Sequence, residues 1–320
     1  MKGLTDISGI RVGHASDYDA LTGCTVVLCD IAAVAGVDIR GSATGTQELD
    51  VLSPGHVTPG VHAIVLAGGS AFGLEAASGV RRFLERKGIG FHTAAAKVPI
   101  VPCAILYDLA IGKANVRPTR EMGEVAAAAA TSDAVKEGAV GAGTGATVGK
   151  ALGIRQAMKS GIGSATVELE GPMKNVRVAS LVAVNAVGDV RDPATGKLIA
   201  GARRSPESRD LADGSAHFKR GTRAGFQSGN TVLAVVATNA RLNRVQATKL
   251  AQQAQLGLAR TIFPVHTMSD GDVIFALSIG EETADVDALG IAAAEAVAEA
   301  VLCAVRMAPD MGGLPGLARS

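Results

Sequence analysis

The chain has 320 residues, 48% hydrophobic and 3% aromatic, with 40 Gly and no Trp. A chain this long buries a substantial core, and with so few rings that core must be filled by Val, Leu, Ile and Ala, as suits closely packed layers of helix and sheet. Formal net charge is +1, from 31 basic and 30 acidic side chains, which excludes the basic field that nucleic-acid binding draws on.

The first residues, MKGLTDISGIRVGH, hold no apolar stretch of signal-peptide length. Residues 25–41 (TVVLCDIAAVAGVDIRG) read as two short strands with a tight connection. Residues 61–66 read as a buried strand, followed by a Gly-Gly turn and an amphipathic helix over about 72–87 that stops at Gly88. A helix with an Ala-rich centre is expected over 119–137, and strands over 163–170 and 176–185, each bounded by Gly or Pro. Residues 189–229 are polar, charged and rich in Gly, Ser and Arg, with no sustained period; they read as a long exposed or disordered loop. The buried-strand run TVLAVVAT begins abruptly after it, at Thr231. Asn243 reads as the N-cap of a helix to about Thr261, residues 273–280 as a strand, and 285–306 as a closing helix. That last stretch is apolar, but Glu295, Glu299 and Arg306 within it fit a buried Ala-rich helix better than a membrane span.

Four cysteines (Cys24, Cys29, Cys103, Cys303) are scattered without a CxxC pair, and the six His do not cluster. They supply no zinc set and read as buried reduced thiols of a cytoplasmic protein; no metal or organic cofactor is expected. The segment GAGTGATVGKALG (141–153) imitates a phosphate-binding loop, but Thr144 stands where that loop needs Gly and Ala151 where it needs a hydroxyl. The segment AGGSAFG (67–73) imitates a nucleophile elbow around Ser70, with its second Gly one residue late; a tight strand-to-helix turn with positive φ explains it better.

The junction Gly229–Asn230–Thr231 is of a different kind. A Thr hydroxyl is a poor nucleophile and needs an adjacent base. Cutting the chain before Thr231 would create one, since a new α-amine has an ordinary pKa of about 7.7–8.0. The same hydroxyl is placed to make the cut by attacking the Asn230 carbonyl, and Gly229 supplies backbone freedom. On residues alone an Asn-Thr pair at a loop-to-strand junction is also commonplace, SDGD (269–272) reads equally as a surface turn, and Tyr107 as a core residue.

GNTVLAVVATNARL (229–242) with HTMSDGDVIFALS (266–278) resembles the self-processing aminopeptidase family that includes the L-aminopeptidase/D-amidase-esterases, the β-peptidyl aminopeptidases and the nylon-oligomer hydrolases. GIRVGHASD, TGCTVVLCD, IVLAGGSAFGLEAASGV, VPCAILYDL, GAGTGATVGK and VAVNAVGDV follow in the family's order, so the resemblance covers nearly the whole chain. It implies an α/β fold, an αββα four-layer sandwich similar to N-terminal-nucleophile hydrolases but with different connectivity. It also implies one domain, 1–320, cut into a piece 1–230 (with a mobile polar segment over about 190–230) and a piece 231–320.

By motif, Thr231 matches the nucleophile and new N-terminus. Asp270 and Asp272 match two residues that touch it, Tyr107 a Tyr at the oxyanion position, and Lys150 and Asn185 polar residues near the nucleophile in the nylon-oligomer branch. Thr with an Asp pair resembles that branch, since the aminopeptidase branches usually carry a Ser nucleophile with Ser and Glu in place of the two Asp. The expected activity is hydrolysis of an N-terminal amide bond in a small peptide or ω-amino acid oligomer, by a homo-oligomer, often a tetramer in this family, without nucleic acid or membrane partners. The rival readings are an acyltransferase of the same fold, a nucleotide-binding module built on 141–151, and a self-processing scaffold without catalysis.

Overall fold

The computed structural model describes residues 1–221 and 229–318. Its centre is a nine-stranded mixed sheet. From one edge its strands run Ile162–Glu168, Arg177–Asn185, Thr231–Ala240, Val273–Glu282, Thr22–Ile39, Val61–Ala67, Cys103–Ile105 and Thr46–Gln47, with Ile10–Asp17 paired beside Thr22–Ile39. Thr22–Ile39 is the joint. Its first half pairs with Ile10–Asp17 and Val61–Ala67, its second half with Val273–Glu282. Between the halves the register slips from Leu28 to Ala33, and Asp30, Ile31 and Ala32 stand exposed. The expected pair of short strands is therefore one long bulged strand that carries the sheet from one layer into a second.

Burial on both faces of the strands organises the molecule in four layers. Along Thr231–Ala240, Leu233, Val235 and Ala237 join a core with Val27, Ile64, Leu66, Leu181 and Phe275, between the two halves of the sheet. The alternate residues Val232, Ala234 and Val236 join an outer core with helices α4 (Arg244–Thr261) and α5 (Val286–Arg306). On the opposite side, helices α1 (Ala76–Arg86) and α2 (Arg120–Ala128) cover Val26, Leu28, Ala63 and Val65. Alternation in a strand buried on both faces is invisible as a polarity pattern, but it decides which side chains meet. The result is the expected αββα sandwich. Close helix–sheet contact needs small residues: a Cβ on Gly163 would lie 2.0 Å from the Ala300 carbonyl oxygen of α5.

The expected helix ends are largely those observed. Asn243 caps α4 in a reciprocal pair with Gln246, and Asp285 caps α5. Helix α5 is long and apolar enough to cross a membrane by length and composition, yet packs within the fold. Helix α1 is preceded by a 3₁₀ turn, Ser70–Glu75, entered through positive φ at Gly69 and Ser70, as the turn reading of AGGSAFG requires. Helix α2 is shorter than expected, ending at Ala128, because Thr131 is captured by Val12 in a two-way backbone bridge. Cys24, Cys29 and Cys103 are buried free thiols, and Cys303 is half-buried.

The polar stretch after Asp189 departs most from expectation. Rather than a structureless loop it forms short strands at Asp189–Arg191 and Leu198–Ala200 and a short helix, α3 (Gly214–Lys219). The last part, 222–228, lies outside the described residues. Polar anchors hold the rest. The buried Asp189 carboxylate accepts the Ala202 and Gly214 amides, each at 2.8 Å. The buried Arg203 guanidinium donates to the Ala157, Pro206, Ser208 and Arg155 carbonyls. Such anchoring leaves no hydrophobic period to read. Replacing Asp189 with Ala strands two buried N–H groups at about 1–3 kcal/mol each. Trypsin is then expected to cut first among Arg203, Arg204 and Arg209, in minutes where the parent chain resists; equal resistance would refute this anchoring.

Candidate active site

The site forms where the long strands begin. Thr231 opens its strand with Asn185 as its register partner, and both occupy odd positions whose side chains turn between the sheet halves. On the other side runs the parallel strand Val273–Glu282, and its approach places Asp270 beside Asn230 in a parallel bridge. The acidic turn is fixed from outside, since Arg40 and Gly41 N–H groups reach the Asp272 carbonyl and Ala43 N–H reaches that of Asp270. Asn230, Thr231, Asp270, Asp272, Lys150 and Asn185 are all buried.

The peptide bond between Asn230 and Thr231 is closely surrounded. The Thr231 hydroxyl donates to the Asn230 carbonyl oxygen at 2.5 Å, and the Gly271 amide donates to the same oxygen at 2.8 Å. Gly229 has φ 137, and a Cβ there would lie 2.6 Å from the Tyr107 ring. Tyr107 therefore reaches the junction through its ring against Gly229, while its backbone carbonyl accepts from Asn185.

Asn185 is the hub. Its Oδ1 accepts from Thr147 N, Thr147 Oγ1 and Lys150 Nζ at 3.1, 3.3 and 2.8 Å. Its Nδ2 donates to the Tyr107 and Gly229 carbonyls at 2.9 and 3.1 Å. Lys150 Nζ also donates to the carbonyls of Asn185 (2.9 Å) and Gly229 (3.1 Å). The loop that imitates a phosphate cradle thus aims its lysine at the protein's own backbone. A cavity of about 230 Å³ adjoins Gly229 and Asn230, walled by Tyr107, Asp108, Ile111, Thr147, Lys150 and Ile154 among others.

The carboxylates differ in their surroundings. Asp272 Oδ1 accepts the Val232 amide at 2.7 Å, and its Oδ2 accepts the His266 amide (3.2 Å) and lies 2.8 Å from His266 Nδ1. Asp270 Oδ2 accepts the amide and hydroxyl of Thr267, and burial together with the Asp272 charge pushes its carboxyl up. Burial lowers the Lys150 ammonium to about 7 against the opposing pull of Asp270, Asp272 and Asp108. Asp108, itself raised by burial, accepts from Thr22 Oγ1 and the Gly69 amide.

Sequence reasoning named the six side chains brought together here, with Asn230, but passed over Gly271, His266 and Thr147. The first two lie inside HTMSDGD, where only the acids drew notice, and nothing in the sequence marks Thr147. It also passed over a second buried lysine. Lys159 donates to the Gly143, Ala146 and Ser160 carbonyls, and burial lowers it to about 7.

In the unfolded chain both lysines titrate at the ordinary 10.5. Between pH 7 and 9 the unfolded state therefore holds more protons, and stability should rise with pH; above the ordinary thiol value of 9.0 the raised cysteines oppose it. In an uncut Thr231→Ala background, Lys159→Met is expected to flatten the rise in urea midpoint across that window. An unchanged slope would mean that Lys159 stays charged in the fold.

A family model described as peptidase family S58 matches residues 2–319. An uncharacterised aminopeptidase of Mycobacterium leprae (strain TN) is 42% identical over 98% of this chain and 93% of its own. A 6-aminohexanoate-oligomer endohydrolase of Kocuria sp. (strain KY2) is 32% identical over 94% of this chain and 85% of its own. Among solved structures, the L-aminopeptidase D-Ala-esterase/amidase of Ochrobactrum anthropi, described as a variant of the Ntn hydrolase fold, superposes with TM-score 0.75 at 21% identity, covering 98% of this chain and 88% of that one.

Proposed function

Since the chain belongs to peptidase family S58 and is an amide-bond hydrolase of the aminopeptidase and amidase type, we propose that it matures by cutting itself before Thr231 and then works through an acyl-enzyme on that residue. The observation that carries this reading is the double hydrogen bond on the Asn230 carbonyl oxygen, one from the Thr231 hydroxyl and one from the Gly271 amide. In the first stage Thr231 Oγ adds to the Asn230 carbonyl carbon, the hydroxyl proton passes to the Thr231 nitrogen, and the C–N bond breaks to leave an ester on Oγ. Negative charge growing on the carbonyl oxygen meets the Gly271 N–H, a contact of a kind worth about 3–4 kcal/mol in a transition state. Water hydrolyses the ester, leaving Asn230 with a carboxylate and Thr231 with a free amine.

In the second stage that amine, covalently tethered next to Oγ, takes the hydroxyl proton as Oγ attacks a substrate amide and passes it to the amine that departs as the C–N bond breaks; water then hydrolyses the acyl-enzyme. The cavity beside Gly229 and Asn230 receives the acyl portion, because in self-cleavage the acyl portion is the chain that ends there. Its apolar walls (Ile111, Ile154) and the Lys150–Asn185 pair suit a short chain with a polar group, a small peptide residue or an ω-amino acid unit.

The test is turnover. Protein incubated with amino-acid anilides and with 6-aminohexanoate oligomers is expected to release amine products, to form little transfer product with added amines, and to lose both activities in Thr231→Ala. Dominant transfer would favour the acyltransferase reading; undiminished activity in Thr231→Ala would remove Thr231 from the chemistry.

A further inference from the structure

The His266 side chain contacts Asp272 of the acidic pair and has no part in the reaction just described. It stands in the left-handed region at φ 57, a conformation that costs a non-glycine residue energy and persists where the surroundings enforce it. Two of its groups converge on one atom: the backbone N–H and ring Nδ1 lie 3.2 and 2.8 Å from Asp272 Oδ2. The other oxygen of that fully buried carboxylate accepts the amide of Val232, the residue after the nucleophile. His266 is thus one end of a chain of contacts, imidazole to carboxylate to the Val232 amide. Its own side chain is about a fifth exposed and lies outside the walls of the substrate cavity.

We infer that His266 is a positioning residue, whose ring holds the Asp272 carboxylate in register with the Thr231–Val232 peptide and so aims the nucleophile. The inference rests on Thr231 being that nucleophile. An ionised carboxylate only accepts, so the ring donates from Nδ1. Without the ring, Asp272 Oδ2 keeps only the longer backbone contact of 3.2 Å, and the carboxylate is held less tightly. His266 acts on the geometry of attack rather than on substrate contacts, so its loss lowers kcat and spares KM.

The backbone conformation supplies a clean experiment. Gly and Asn both tolerate positive φ, so neither His266→Gly nor His266→Asn should fail to fold for backbone reasons. Asn alone returns an N–H donor near the place of Nδ1. The initial rate of splitting before Thr231, followed by intact mass, and kcat and KM of the matured protein on an amino-acid anilide are measured for both variants beside wild type and Thr231→Ala. The Gly variant is expected to be about 10- to 100-fold slower in both reactions, as for a lost hydrogen bond to a charged group, with KM within about threefold. The Asn variant is expected to recover most of that loss. Gly and Asn variants that are equally fast, or equally slow, overturn the assignment. Splitting of Thr231→Ala is a separate result, which removes the nucleophile itself whatever His266 does.

Discussion

Replacing Asp272 with Asn is expected to slow splitting before Thr231 by about a hundredfold or more, although the side chain keeps its shape. The carboxylate is fully buried and accepts on both oxygens, from Val232 on one side and from His266 on the other. An amide has one oxygen and one NH₂, so in either orientation a donor faces a donor. Each stranded donor costs about 1–3 kcal/mol, and the cost falls at the turn that also supplies the Gly271 amide to the Asn230 carbonyl. The measurement is the fraction of cut chain against time. Splitting at the wild-type rate would remove Asp272 from the machinery and leave it a merely buried acid.

The second large effect is expected at Asn185. Leu has the same branched shape and is somewhat larger, so Asn185→Leu leaves no cavity, but it deletes five hydrogen bonds at once. The Thr147 amide and the Tyr107 carbonyl lose a partner, Lys150 still donates to the Asn185 and Gly229 backbone carbonyls, and the Gly229 carbonyl loses one of its two donors. Stability should fall by about 3–5 kcal/mol, the range for breaking a buried polar network, read from the urea midpoint. Splitting should be undetectable over a day, since the Gly229 carbonyl beside the junction is left with the Lys150 contact after losing that of Asn185. A variant that is destabilised yet splits normally would assign Asn185 to the fold alone.

Much of the fold is legible in the residues because caps and periods are local signals. Asn243 and Asp285 announce α4 and α5, and the continuous apolar runs VHAIVLA and TVLAVVAT announce strands buried on both faces. The single strand Thr22–Ile39 is not legible. Its bulge at Asp30–Ala32 faces solvent, and locally that looks like a turn between two strands. The order between Asp189 and Gly221 is hidden for another reason, since it depends on the Asp189 and Arg203 side chains meeting distant backbone groups. At the site, family motifs single out Thr231, Asp270, Asp272, Lys150, Asn185 and Tyr107, but motifs carry no geometry. Only the register of Asn185 with Thr231 and the parallel entry of Val273–Glu282 bring them together. The roles suggested for Gly271, a backbone amide, and His266, a strained loop residue, depend on those approaches.

The most direct test of the central claim is the intact mass of the purified chain under denaturing conditions, followed over days beside Thr231→Ala. The 32.2 kDa wild-type chain is expected to give pieces of about 23 and 9 kDa by share of length, the smaller beginning with Thr231, while the variant stays whole. A wild-type chain that remains intact, or a Thr231→Ala chain that splits at the same bond, would contradict self-cleavage by this residue.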